Sequence, residues 1–151
     1  TGPQEDFEPV AQHGNKFVEA FEKTTRSTEE LDVKEPLIVG SELTLSLPRK
    51  QRDVEDGEGR MRTVPVQGLR IGPVRVIGFP GEVFSETTMA VKEASPHPST
   101  LVGSYACGGG GGYVPVAEAY ETGGYEVRVS PYAEGAEAVL REGFLELLRT
   151  L

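Results

Sequence analysis

The sequence predicts an α/β fold, a mixed sheet with βαβ-type units and flanking helices, on three observations. Residues 74–79, Val-Arg-Val-Ile-Gly-Phe, form the short apolar run of a strand covered on both faces, and it stops at Pro80-Gly81. A helical stretch over residues 83–93 and a second apolar run over 100–106 follow, so strand, helix and strand come in order, with a right-handed crossover expected. Beyond Glu134, Val139, Leu140, Phe144, Leu147, Leu148 and Leu151 share one helical face, predicting a last helix packed on the sheet.

The earlier elements follow from the same periodicities. Phe17, Val18 and Phe21, with Glu19, Glu22 and Lys23 between them, predict a helix from Lys16 to about Thr25, with Asn15 as N-cap. Leu37, Ile38 and Val39, then Leu43, Leu45 and Leu47 alternating with Thr44 and Ser46, predict a half-buried strand ending near Pro48. Residues 49–62 are charged and glycine-bearing, without an apolar period, and predict a solvated, mobile loop. Val64, Val66, Leu69 and Ile71 then lead into the central strand. After 100–106 come five consecutive glycines, Gly108 to Gly112, then Tyr113-Val114-Pro115 and a turn-rich stretch to Gly123-Gly124.

Composition narrows the function classes. With 37% apolar and 26% charged residues, 151 residues suffice for a packed core. The formal charge of −9 would repel a polyanion, so nucleic acid is not an expected partner. No apolar run reaches the roughly 18 residues of a membrane span. Thr1 to Asp6 have neither an initiator Met nor the pattern of a signal peptide, so the chain is expected to begin after processing or truncation, and compartment stays open. One cysteine, Cys107, excludes an internal disulfide and a thiolate zinc cluster. As a nucleophile it would need a base the sequence does not identify.

Ligands in open α/β sheets bind beyond the C-terminal ends of the strands. Glu82 sits there, where it can act in chemistry or cap the next helix and favour its dipole. Tyr113 reaches the same edge if the two strands are neighbours. The glycine run reads as a flexible loop or as close backbone approach to a ligand, and without a following Lys and Ser/Thr it is not a phosphate loop. Tyr120 and Tyr125 flank a Gly-Gly pair and read first as packing tyrosines. His13 reads as an exposed loop residue and His97, between Pro96 and Pro98, as a turn residue; neither has a second histidine at ligand spacing.

The order of these motifs is informative. Residues 78–82 (Gly-Phe-Pro-Gly-Glu), 102–106 (Val-Gly-Ser-Tyr-Ala), 112–115 (Gly-Tyr-Val-Pro), then Ala119-Tyr120 and 123–126 (Gly-Gly-Tyr-Glu), resemble the end of the catalytic domain of neutral/alkaline non-lysosomal ceramidases. The likeness is strong from about Val74 onward and weaker over residues 1–62. It implies that residues 1–151 are the C-terminal part of a larger catalytic domain. It also implies that Glu82 and Tyr113 ligate zinc with two histidines from outside this chain, and that Tyr125, twelve positions after Tyr113, polarises the substrate carbonyl. The implied activity is hydrolysis of an amide or related bond in a small-molecule or lipid-like substrate, through a metal-polarised carbonyl and metal-activated water. The implied partner is the missing N-terminal half, from the same precursor or another chain. Where the family places a serine beside the metal, the matching residue is Glu8. The alternative is a non-catalytic binding or regulatory relative, or an inactive fragment lacking the metal-binding histidines.

Overall fold

A computed structural model describes residues 7–28, 33, 37–51, 60–108 and 110–151. They fall into two units, Thr1–Lys34 and Glu35–Leu151, each taken by itself below.

The first unit contains helix α1, Phe7–Arg26. It begins nine residues before the expected Lys16, because Phe7 and Val10 extend the stripe of Phe17, Val18 and Phe21 back across Gly14. Pro9 lies in the first turn, where its missing N–H has no helical partner to lose. Asn15 is therefore inside the helix rather than at its cap; the ~1 kcal/mol cost of an interior glycine at Gly14 is outweighed by the longer helix. At the far end Thr24 and Thr25 hydroxyls donate to the carbonyls of Ala20 and Phe21, at 2.8 and 2.9 Å, and Arg26 pairs with Glu22 at 2.9 Å. None of its residues is buried.

The second unit is built on a four-stranded mixed sheet in the order β1 (Ile38–Pro48), β2 (Met61–Ile71), β3 (Val74–Gly78), β5 (Thr100–Gly103). β1 and β2 pair antiparallel from Ile38↔Ile71 to Pro48↔Met61. A tight turn at Gly72, with its left-handed φ of 55°, leads into antiparallel β3. β3 and β5 run parallel, Gly78 opposite Gly103, joined through the short β4 (Glu82–Val83) and α2 (Ser85–Ala94). This is the expected βαβ-type unit. β4 pairs in parallel with β6 (Tyr113–Val114), and α3 (Ala117–Thr122), α4 (Tyr125–Val129) and α5 (Ala136–Thr150) complete the chain. The described residues thus form a mixed sheet and five helices, with α3 lying in the stretch up to Gly123-Gly124 where the sequence predicts only turns.

The predicted loop is ordered at both margins. Met61 and Arg62 belong to β2, Arg49 bridges to Tyr132, and Lys50 N–H donates to Pro131 O at 2.9 Å; residues 52–59 lie outside the described set.

One face of the sheet carries the core. The alternation places Leu43, Leu45 and Leu47 of β1, Val64 and Val66 of β2 and Ile77 of β3 under α5, which contributes Leu140, Phe144, Leu147 and Leu148. The contact is close because two glycines make room for it. A Cβ on Gly68 would stand 2.6 Å from Leu151 Cδ1, and one on Gly143 would stand 2.5 Å from Leu45 Cδ1. Phe144 meets Phe79 edge to face at 6.3 Å between ring centres. Val139, expected on this face, is exposed instead. The other face is open, and Val76 is half-buried rather than covered. A groove of about 570 Å3 there runs over Gly40, Glu42, Gln67, Leu69, Val76 and Cys107. No helix among the described residues is long and apolar enough to cross a membrane.

Candidate functional site

Past the end of β3 the backbone of Phe79 to Val83 is held from both sides. On one side Phe79 N–H donates to Gly103 O (3.1 Å), Ala106 N–H to Phe79 O (2.9 Å) and Tyr105 N–H to Gly81 O (2.8 Å). On the other, Glu82 N–H donates to Gly112 O at 2.9 Å and Gly111 N–H to Pro80 O at 3.4 Å. The two backbones approach so closely that a Cβ on Gly81 would stand 2.2 Å from Gly112 O, and one on Gly111 would stand 2.2 Å from Gly81 N. Side chains there are sterically forbidden, which explains this part of the glycine run. This end of the run serves close backbone approach, to the chain itself rather than to a ligand. Gly109 lies outside the described residues.

This contact sets the register in which Glu82 faces Tyr113 across β4 and β6. Both are half-buried. Tyr125, first residue of α4, brings its ring against Tyr113 at 6.2 Å and 81°, and the Arg128 guanidinium lies 5.8 Å from the centre of the Tyr125 ring. The three residues singled out by sequence therefore converge. Two of them, Glu82 and Tyr113, line a cleft of about 380 Å3 together with Phe84, Glu86 and Glu126, and Tyr125 joins them through its ring contact with Tyr113.

A fourth residue, which sequence reasoning did not select, joins them. The Tyr105 hydroxyl donates to Glu82 Oε2. That bond, with some burial and the Glu82 charge, pushes the Tyr105 phenol up to about 12. Tyr113 is also raised, first by desolvation and then by the charge on Glu82. The signal available in sequence was the position of Tyr105, just past the C-terminal end of a strand, β5, whose expected burial is limited to Thr100. Its left-handed backbone, φ 56°, has no such signal.

The other candidates separate. Glu82 does not cap α2: the helix begins at Ser85, Phe84 is the cap residue, and no side chain caps it. Tyr120 packs as expected, but its hydroxyl donates to Tyr132 O at 3.0 Å instead of facing water. His97 Nε2 meets Leu148 O at 3.0 Å, in the loop before β5 and hence at the opposite end of that strand from the cleft. His13 and Glu8 lie on α1, where Glu8 accepts from Gln12 Nε2 at 3.5 Å. Cys107 lies under the open face of the sheet, its thiol pushed up by burial, which disfavours the thiolate a nucleophile needs. Among the described residues no three His, Cys, Asp or Glu side chains gather to hold a metal.

The donors this chain brings into direct register are the Glu82 carboxylate and the Tyr105 and Tyr113 phenols, with Glu86 and Glu126 elsewhere in the cleft lining. Hard oxygen donors of this kind suit a Lewis-acidic cation, and a carboxylate at an open cleft can equally accept a proton from a bound ligand. No family model, curated protein or solved structure matches the chain.

Proposed function

We propose that this chain is the C-terminal part of the catalytic domain of a zinc-dependent hydrolase resembling the neutral ceramidases, acting on an amide or related bond. The observation that carries the reading is the register pairing of Glu82 with Tyr113, with the Tyr125 ring against Tyr113. The three residues that the motif likeness selects lie in one cluster, Glu82 and Tyr113 lining the cleft and Tyr125 edge-on against the Tyr113 ring. Two oxygen donors from Glu82 and Tyr113 fall short of a closed zinc site, and two imidazoles from outside the chain would bring the set to four. The open sheet face, with Leu101 and Ile71 exposed, suits a domain that continues beyond these residues.

In this reading Glu82 and Tyr113 hold the cation, which when bound supplies Lewis-acid polarisation of a carbonyl and activation of water at neutral pH. The Tyr125 hydroxyl donates to the carbonyl oxygen as negative charge develops on it. Arg128, over the Tyr125 ring, restricts where that ring can turn. Glu86 and Glu126 make the cleft wall acidic, which favours neutral or amine-bearing substrates over carboxylates.

The test is elemental analysis with intact mass, on this chain joined to or co-purified with the histidine-bearing part. One zinc per chain, lost in Glu82→Ala and reduced in Tyr113→Phe, is expected. A folded assembly without zinc would overturn the reading. It would leave the second one, a non-catalytic relative, which Glu8 at the matching serine position favours.

A further inference from the structure

Tyr105 is a bulky, exposed side chain on a backbone that bulky residues avoid. Its φ of 56° lies in the left-handed region, where glycine or asparagine sits at lower cost, and its side chain is 71% exposed, so core packing does not explain it. Such an outlier persists where surrounding bonds over-determine it and the side chain has work at a site. Both conditions hold here. Tyr105 N–H donates to Gly81 O at 2.8 Å and the next residue's N–H to Phe79 O at 2.9 Å, which fastens the turn at two points along one side of the Phe79 to Val83 segment. The neighbouring Ser104 Oγ accepts from Val83 N–H at 3.3 Å. What the conformation achieves is reach: the hydroxyl meets Glu82 Oε2, while Tyr113 faces Glu82 from the other side.

We infer that Tyr105 is a positioning residue that fixes the plane of the Glu82 carboxylate for cation binding, by holding one of its two oxygens in a hydrogen bond. The inference rests on the reading of Glu82 as a metal ligand. Carboxylate ligands are oriented by outer partners of this kind, and a free carboxylate would rotate about its last bond between productive and unproductive orientations.

The experiment is a titration of the full chain with Tb3+, an oxygen-seeking cation whose emission is sensitised only by aromatic rings beside it. The wild-type chain should give sensitised emission that Glu82→Gln abolishes. Tyr105→Phe should weaken the affinity about 10- to 100-fold while saturating emission persists, because Tyr113 and Tyr125 remain as sensitisers. Tyr105→Asn should weaken it as much while its thermal midpoint stays level or rises, since asparagine takes the left-handed backbone more readily. A purely structural role predicts the reverse for asparagine, with affinity and stability falling together, and that result overturns the inference. Unchanged affinity in both Tyr105 variants, with Glu82→Gln still silent, overturns it too and leaves the metal reading intact. A wild-type chain with no Glu82-dependent signal overturns the inference, while the zinc reading is decided separately by the elemental analysis of the assembly.

Discussion

A phenol that donates to a carboxylate keeps its proton to higher pH than one in water, because losing it would place two negative charges side by side. Tyr105, donating to Glu82, is pushed up to about 12 and Tyr113 is raised with it. Removing the charge in Glu82→Gln should return the Tyr105 titration toward about 10, read as tyrosinate absorbance on raising the pH. The sign for stability follows. The folded value lies above the unfolded one, so the contribution of this bond is complete below about pH 10 and is lost as pH rises through about 12. Urea unfolding of wild type and Tyr105→Phe should therefore differ most at neutral pH and converge at the alkaline end.

Short strands cannot hold themselves, and β4 and β6 are each two residues long. Their pairing depends on the contact between Gly81 and the end of the glycine run. Gly111→Ala puts a Cβ 2.2 Å from Gly81 N, against backbone that cannot swing away, and should cost about 3 kcal/mol or more in urea unfolding. Gly108→Ala meets nothing within 4 Å and strains only its own φ of 103°, so about 1–2 kcal/mol is expected. The contrast tests whether the run is one flexible loop, in which both changes would be mild, or a built contact that follows a turn. At α5, Phe144→Ala removes a fully buried ring from between the helix and Phe79 and should cost about 3–5 kcal/mol.

On the scale of the whole molecule, every residue of the core cluster and the packing around it lies within 43–151. A chain shortened to Glu35–Leu151 is expected to keep the near-ultraviolet circular dichroism and the unfolding midpoint of the second unit, and a lost cooperative transition would show that the first unit contributes to that core. The sheet has one face under α5 and one open, and its exposed apolar residues include Leu101 and Ile71. In the proposed function the part that supplies the imidazoles also covers that face, so zinc retention and burial of the open face should be gained together.

Local period determined the greater part of the architecture. The alternation of Leu43, Leu45 and Leu47 and the stripe of Leu140, Phe144, Leu147 and Leu148 each repeat at the spacing of the element they form, and the strand, helix, strand order around residues 74–103 follows from the same rule. The helices over 117–129 were not legible, being too short for a period to register. Nor was the start of the first helix, because Gly14 and Asn15 resemble a boundary. For the site, motif order singled out Glu82, Tyr113 and Tyr125, but their convergence depends on the Gly81 to Gly111 contact between segments distant in the chain, which no local pattern encodes. Tyr105 depends on it twice over, since both its left-handed backbone and the carboxylate it reaches are settled by bonds to another segment. Periodicity is a property of neighbours along the chain, and so it determined the elements; which backbones touch, and which side chains meet there, was decided by packing in three dimensions.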